Sequence, residues 1–219
     1  MKCRGFLFDL DGTLVDSLPV VERAWSHWGK RHGIAADEVL SFIHGKQAIT
    51  ALRHFMPDSS DEAIQQEFRQ LEKIEAEDTD GITALPGALA LLERLDALDI
   101  PWAIVTSGSM PVASARRKAA GLPLPRHFVT AERVTNGKPE PDAYLIGAEL
   151  LGLPPAECVV VEDAPAGILS GLAAGCAVIA VNAPGDTPRL DETAMQLTSL
   201  ASLRISKEED GTVRIINQA

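Results

Sequence analysis

A chain of 219 residues suits one large domain, or a core carrying a modest insert. Its 46% hydrophobic and 23% charged residues are an ordinary globular composition, and no apolar run approaches the ~20 residues of a membrane helix. The formal charge of −11 argues against a nucleic-acid partner, which needs a basic stripe, and leaves any anionic ligand to be attracted by local cations rather than by net charge. Cys3, Cys158 and Cys176 each lie in or beside an expected strand. An odd count without close pairing fits reduced, buried thiols of a cytoplasmic protein.

The first element is a short strand through Phe6, Leu7 and Phe8, ending in Asp9-Leu10-Asp11-Gly12-Thr13. Ligand crevices of open α/β sheets lie outside the carboxyl ends of the strands. Two carboxylates there are costly neighbours unless a cation lies between them or they share out protons. Gly12 allows the tight turn that aims both at one point. A cleaved leader would remove this strand, so none is expected.

A long helical stretch follows. Val21, Trp25 and Trp28 recur at helical spacing, as do Ile64, Phe68 and Leu71 behind a capping box at Ser59-Ser60-Asp61-Glu62. Residues 16–81 read as a helical insert, with hinges at 14–18 and 78–85. Pro86 then opens a helix with Leu89, Leu92 and Leu95 on its apolar face. Strands are expected over 103–105, 127–130, 158–161 and 178–181, and helices over 112–120, 141–151 and 166–174. Each of those helices is stopped by a glycine: Gly121, Gly152 and Gly175. This rhythm predicts a parallel sheet covered by helices on both faces. Beyond Pro188 the signals weaken to an edge strand over 194–197 and a terminal one over 213–216.

Three further segments join the first motif. Strand 102–105 ends in Thr106-Ser107-Gly108; Gly137-Lys138-Pro139-Glu140-Pro141-Asp142 precedes a helix; Val159-Val160-Val161 leads into Glu162-Asp163-Ala164-Pro165-Ala166-Gly167. Together these resemble, in order, the four motifs of the haloacid-dehalogenase-like (HAD) phosphohydrolases, over the chain from its first strand to about residue 181. The resemblance implies a Rossmann-like open parallel sheet, residues 1–15 plus 82–219, with a helical cap of the C1 type, residues 16–81. It also implies a magnesium-dependent phosphatase of the sugar and polyol phosphate branch, acting on phosphorylated hexoses, pentoses or deoxysugars.

In that reading Asp9 is the nucleophile that forms an aspartyl-phosphate and a ligand of Mg2+. Asp11 contributes its backbone carbonyl to the metal, while its carboxyl group acts as general acid–base. Asp163 is the third metal ligand, with Glu162 beside it. Thr106 and the Ser107-Gly108 turn bind phosphate, and Lys138 contacts both phosphate and Asp9. His44-Gly45-Lys46, a turn between insert helices, corresponds to the family's specificity loop, so His44 and Lys46 are expected at the substrate, with Arg53 a weaker candidate. His27, His32, His54 and His127 have no ligand spacing and are expected to be packed or solvated.

Asp11 argues against a dehalogenase, which needs no acid for an alkoxide. A sugar-phosphate isomerase resembling phosphoglucomutase shares all four motifs and stays open, as does a non-catalytic binding protein on the same fold. A monomer or weak homodimer is expected, with no membrane partner.

Overall fold

Residues 1–218 of a computed structural model are described, beginning with β1 (Lys2–Cys3) and β2 (Gly5–Phe8). The two-residue strand β3 (Val15–Asp16) leads into α1 (Leu18–His32), α2 (Ala36–Ile43), α3 (Ala48–Phe55) and α4 (Asp61–Glu77). Strand β4 (Thr83–Ala84) returns antiparallel to β3, so the two expected hinges are joined as a ribbon. Helices and strands then alternate through α5 (Ala88–Ala97), β5 (Trp102–Val105), α6 (Met110–Ala119), β6 (His127–Val129) and α7 (Asp142–Leu151). The alternation continues with β7 (Cys158–Glu162), α8 (Pro165–Ala173), β8 (Ala177–Val181) and β9 (Met195–Leu197). A hairpin of β10 (Leu203–Lys207) and β11 (Val213–Asn217) follows.

Six strands form one parallel sheet in the order β6-β5-β2-β7-β8-β9. Read along the chain, the first of them lies in the interior and the order reverses on either side of it, the doubly wound arrangement that opens a crevice at the carboxyl end of β2. Every residue of β2, β5 and β7 is buried, because helices cover both faces. Side chains of β2 alternate between the faces: Phe6 and Phe8 pack with Leu92, Leu95 and Ile104, and Leu7 packs with Val105, Tyr144 and Ile168 on the other side.

The helices α1 to α4 enclose their own apolar cluster around Trp25, Trp28, Leu52, Ile64 and Leu71, as the helical spacing predicts. Helix α4 begins at a cap in which Ser60 Oγ accepts the Ala63 amide at 3.2 Å. The third helical position is Ala63, so the reciprocal half of the expected capping box is missing. The buried face of α5 is Ala88, Leu91, Leu92 and Leu95, and Leu89 is exposed, one step off the predicted stripe.

In the C-terminal region both expected strands form, as β9 and β11. Strand β10 had no counterpart in the sequence reading; β11 pairs antiparallel with it and with β1 in a separate three-stranded sheet. The three cysteines are free and buried, and burial pushes Cys3 and Cys176 up to about 12 and Cys158 to about 11, which leaves them inert thiols.

Candidate active site

Because β2 lies between β5 and β7, the residues that follow these strands converge. Asp9 follows β2, Thr106 follows β5, and Glu162 and Asp163 lie at the end of β7. Lys138 enters from the loop before α7 and is buried. Its Nζ donates to Asp9 Oδ1 at 2.8 Å, to Glu162 Oε1 at 2.7 Å and to the Val105 carbonyl at 3.1 Å, which commits all its protons. Burial works against the ammonium, but Asp9 and Glu162 outweigh it and hold its pKa above the ordinary lysine value.

Glu162 is the anchor of this arrangement. Its Oε1 also accepts the Tyr144 hydroxyl at 2.8 Å, and its Oε2 accepts the amides of Asp163 and Ala164 at 3.0 and 3.1 Å. Gly167 permits this, since a Cβ there would run into the Glu162 carboxylate.

Asp9, Glu162 and Asp163 each offer one oxygen atom within 4.8 Å of the others. Glu162 is already committed on both oxygens, whereas Asp9 and Asp163 are not. Thr13 Oγ1 donates to Asp163 Oδ1 at 3.0 Å and lies 3.4 Å from Asp9 Oδ2, while Asp163 Oδ2 accepts no hydrogen bond among the described residues. Gly12, at φ +87°, lies against that oxygen, and a Cβ there would collide with it.

When ionised, these three carboxylates face a single ammonium, so negative charge is in excess. Burial first, then the Glu162 charge, pushes Asp9 up to about 7 against the opposing pull of Lys138. Asp163 is raised well above the carboxylate range by burial, Asp9 and Glu162. An all-oxygen donor set with surplus negative charge fits a hard cation.

Asp11 stands apart from this cluster. Its Oδ1 accepts from Ser17 Oγ at 2.6 Å and from an Arg116 guanidinium nitrogen at 3.1 Å. The other terminal nitrogen of Arg116 donates to Glu75 of α4 at 3.2 Å.

Thr106 is buried, and its Oγ1 accepts the Gly108 amide at 3.1 Å, leaving its own proton to donate. Ser107 Oγ donates to the Gly45 carbonyl at 3.1 Å, which ties the α2–α3 turn to the end of β5. The same turn rests on two other motifs: Gly45 leaves no room for a Cβ against Ala164, and the Gln47 side chain covers Gly137. His44 is exposed on this turn. Lys46 folds back, donating to the Phe42 carbonyl at 2.8 Å and resting over the Phe42 ring. Arg53 pairs with Asp61 at the surface, away from the acidic cluster.

Five residues of this neighbourhood went unassigned in the sequence reading: Thr13, Ser17, Glu75, Arg116 and Tyr144. Thr13 is part of the quoted first motif. Tyr144 is the one tyrosine of the chain, set on the buried face of α7 with Ala143, Gly147 and Ala148, where a buried hydroxyl must find a partner. Glu75 and Arg116 look like solvated residues of charged helices, and only the packing of α4 on α6 brings them together.

Comparison with known proteins agrees with the geometry. The family model described as haloacid dehalogenase-like hydrolase matches residues 3–175. Hexitol phosphatase A of Escherichia coli (strain K12) is 70% identical over 98% of this chain and 100% of its own length. Glycerol-1-phosphate phosphohydrolase 2 of Saccharomyces cerevisiae is 35% identical over 88% of this chain and 80% of its own length. The crystal structure of beta-phosphoglucomutase from Clostridium difficile superposes with a TM-score of 0.82 over 92% of this chain and 93% of its own, at 22% identity, a likeness of fold alone. With its motif residues gathered at adjoining strand ends and its family model matched over most of its length, the chain belongs to the haloacid dehalogenase-like hydrolases.

Proposed function

We propose that this protein is a magnesium-dependent phosphatase of small phosphorylated sugars and sugar alcohols, hexitol phosphates foremost, working through an aspartyl-phosphate on Asp9. The observation that carries this reading is the clamp of Lys138 on Asp9 Oδ1 at 2.8 Å, with Thr13 Oγ1 lying between Asp9 Oδ2 and Asp163 Oδ1. It holds a carboxylate in one orientation at the carboxyl end of a central strand, with the positive charge that a phosphate needs beside it. The substrate class rests on the relative that is 70% identical and is named a hexitol phosphatase.

In this reading Asp9, Asp163 and the Asp11 backbone carbonyl hold Mg2+, and the site fits it because its uncommitted donors are all carboxylate or carbonyl oxygens. When bound, the ion offsets the repulsion between the Asp9 carboxylate and the phosphate dianion. Asp9 attacks phosphorus, and the phosphoryl group passes from the sugar oxygen to Asp9. Asp11 gives a proton to the departing alkoxide, then takes one from the water that cleaves the acyl-phosphate. Thr106 and the amides after Ser107 hold the phosphoryl oxygens, and Lys138 balances charge on Asp9 and the phosphate. Residues 16–81 act as a cap on a core of residues 1–15 and 82–219, and the turn at His44 and Lys46 meets the sugar. Closure of the cap keeps bulk water from Asp11 until the alkoxide has left.

The test is phosphate release from a panel of hexitol, hexose, pentose and nucleotide monophosphates, with magnesium or with a chelator, assayed in the same tubes for isomers. Magnesium-dependent release, fastest on hexitol and hexose phosphates, is expected. Isomer formation without phosphate release would make the protein a mutase, and release undiminished by the chelator would remove the metal from the reading.

A further inference from the structure

The buried pair of Arg116 and Glu75 has no part in the phosphoryl transfer itself, although Arg116 bonds the proposed acid–base Asp11 directly. Arg116 and Glu75 are both buried, at 5% and 6% exposure, and the Arg116 Nε has no partner among the described residues. Such a group is expensive: each desolvated ion costs several kcal/mol, and an apolar set of the same shape often packs equally well. Helix packing alone therefore does not call for it.

Its geometry has a more specific effect. Both hydrogen bonds to the Asp11 carboxylate fall on Oδ1, from Ser17 at 2.6 Å and from Arg116 at 3.1 Å. Among the described residues, Oδ2 accepts none. A carboxylate pinned through one oxygen keeps one rotamer and presents the other oxygen as its free proton acceptor and donor.

Arg116 lies on α6, the helix that follows the Thr106-Ser107-Gly108 turn, while Glu75 lies on α4, which packs across α6. The guanidinium thus reaches the acid–base residue with one nitrogen and the helical layer with the other. Among the described residues the one hydrogen-bond partner of the Glu75 side chain is Arg116.

We propose that Arg116 is a positioning residue that orients Asp11 for proton transfer, and that Glu75 makes this orientation depend on α4 being seated on α6. The proposal rests on the reading of Asp11 as the acid–base. Among the described residues Arg116 makes no hydrogen bond to Asp9, so its loss should spare steps that need no proton from Asp11.

The experiment compares wild type with Arg116→Met and with the double variant Arg116→Met/Glu75→Leu, which removes the buried carboxylate the single change leaves unpaired. The substrates are glucitol 6-phosphate in the steady state and 4-nitrophenyl phosphate in a pre-steady-state burst. Nitrophenolate leaves without being protonated, so the burst reports attack by Asp9 alone. Arg116→Met is expected to lower kcat on glucitol 6-phosphate by ~30-fold, with KM within about threefold and the burst rate within about threefold. In the double variant the melting temperature should return toward wild type while kcat stays low.

Recovery of kcat together with stability in the double variant would reduce Arg116 to a structural role and overturn the proposal. A burst that falls as far as glucitol 6-phosphate turnover would overturn it too. A wild-type protein that turns over neither substrate would overturn the phosphatase reading itself, and the positioning role with it.

Discussion

Asparagine in place of Asp9 should abolish phosphate release, by on the order of 10⁴-fold or more, as expected when a covalent nucleophile is removed. An amide oxygen has almost no tendency to attack phosphorus, yet it keeps the shape of the carboxylate and can accept the same bond from Lys138 at 2.8 Å. The folded protein should not suffer. Asp9 is held up at about 7, chiefly by burial and by Glu162, so the site without a cation disfavours its charge.

The sign follows from linkage. A carboxylate whose pKa is raised on folding costs stability progressively as pH rises from its unfolded value near ~4 toward 7. In chelator, Asp9→Asn should therefore melt no lower than wild type at neutral pH, and the difference should vanish at acid pH. Thermal melts in chelator and phosphate assays in magnesium check the two halves. Substantial turnover by clean Asp9→Asn protein would contradict the nucleophile assignment.

Lys138→Met carries the largest expected loss of stability. The Lys138 side chain is 1% exposed and its ammonium bridges Asp9 and Glu162, which are themselves buried. Removing it leaves two carboxylates and the Tyr144 hydroxyl facing an apolar side chain. Breaking a buried pair from one side costs about 3–5 kcal/mol. For a chain of this length that is a fall in melting temperature of roughly 10 °C. Activity should fall further than stability explains, because Asp9 loses the bond that orients it and the phosphate loses its counter-charge. The stability loss should be smaller in magnesium than in chelator, since an ion on Asp9 and Asp163 supplies part of the missing positive charge. Melting curves in both media, with kcat measured well below the melting range, are the check. A variant as stable and active as wild type would remove Lys138 from the centre of the site.

Much of this site could be read from the chain because its chemistry is local to strand ends. Asp9, Thr106 and the pair Glu162-Asp163 each follow a run of apolar residues, and that pattern marks both the strand and the residues that emerge from it. The parallel sheet follows from the alternation of such strands with helices stopped at Gly121, Gly152 and Gly175.

What escaped was set by long-range packing. The Arg116–Asp11 and Arg116–Glu75 pairs span 105 and 41 residues, and nothing near Arg116 in a basic run distinguishes it from Arg117 or Lys118. The strand pair β3–β4 is two residues long on each side, too short to show a period. The final hairpin did carry a signal. Leu203 and Ile205 alternate with Arg204 and Ser206, and Asp210-Gly211 marks a turn before Val213, but the charged residues of this segment masked it.

The most direct test of the central claim is to trap the covalent intermediate. Wild-type protein turning over glucitol 6-phosphate in magnesium would be quenched in acid within milliseconds, digested at low pH and mapped by mass spectrometry. The expected result is a phosphoryl group on the peptide bearing Asp9, absent without substrate and absent in Asp9→Asn. A phosphoryl group on any other residue, or phosphate release with no labelled peptide at any quench time, would contradict it.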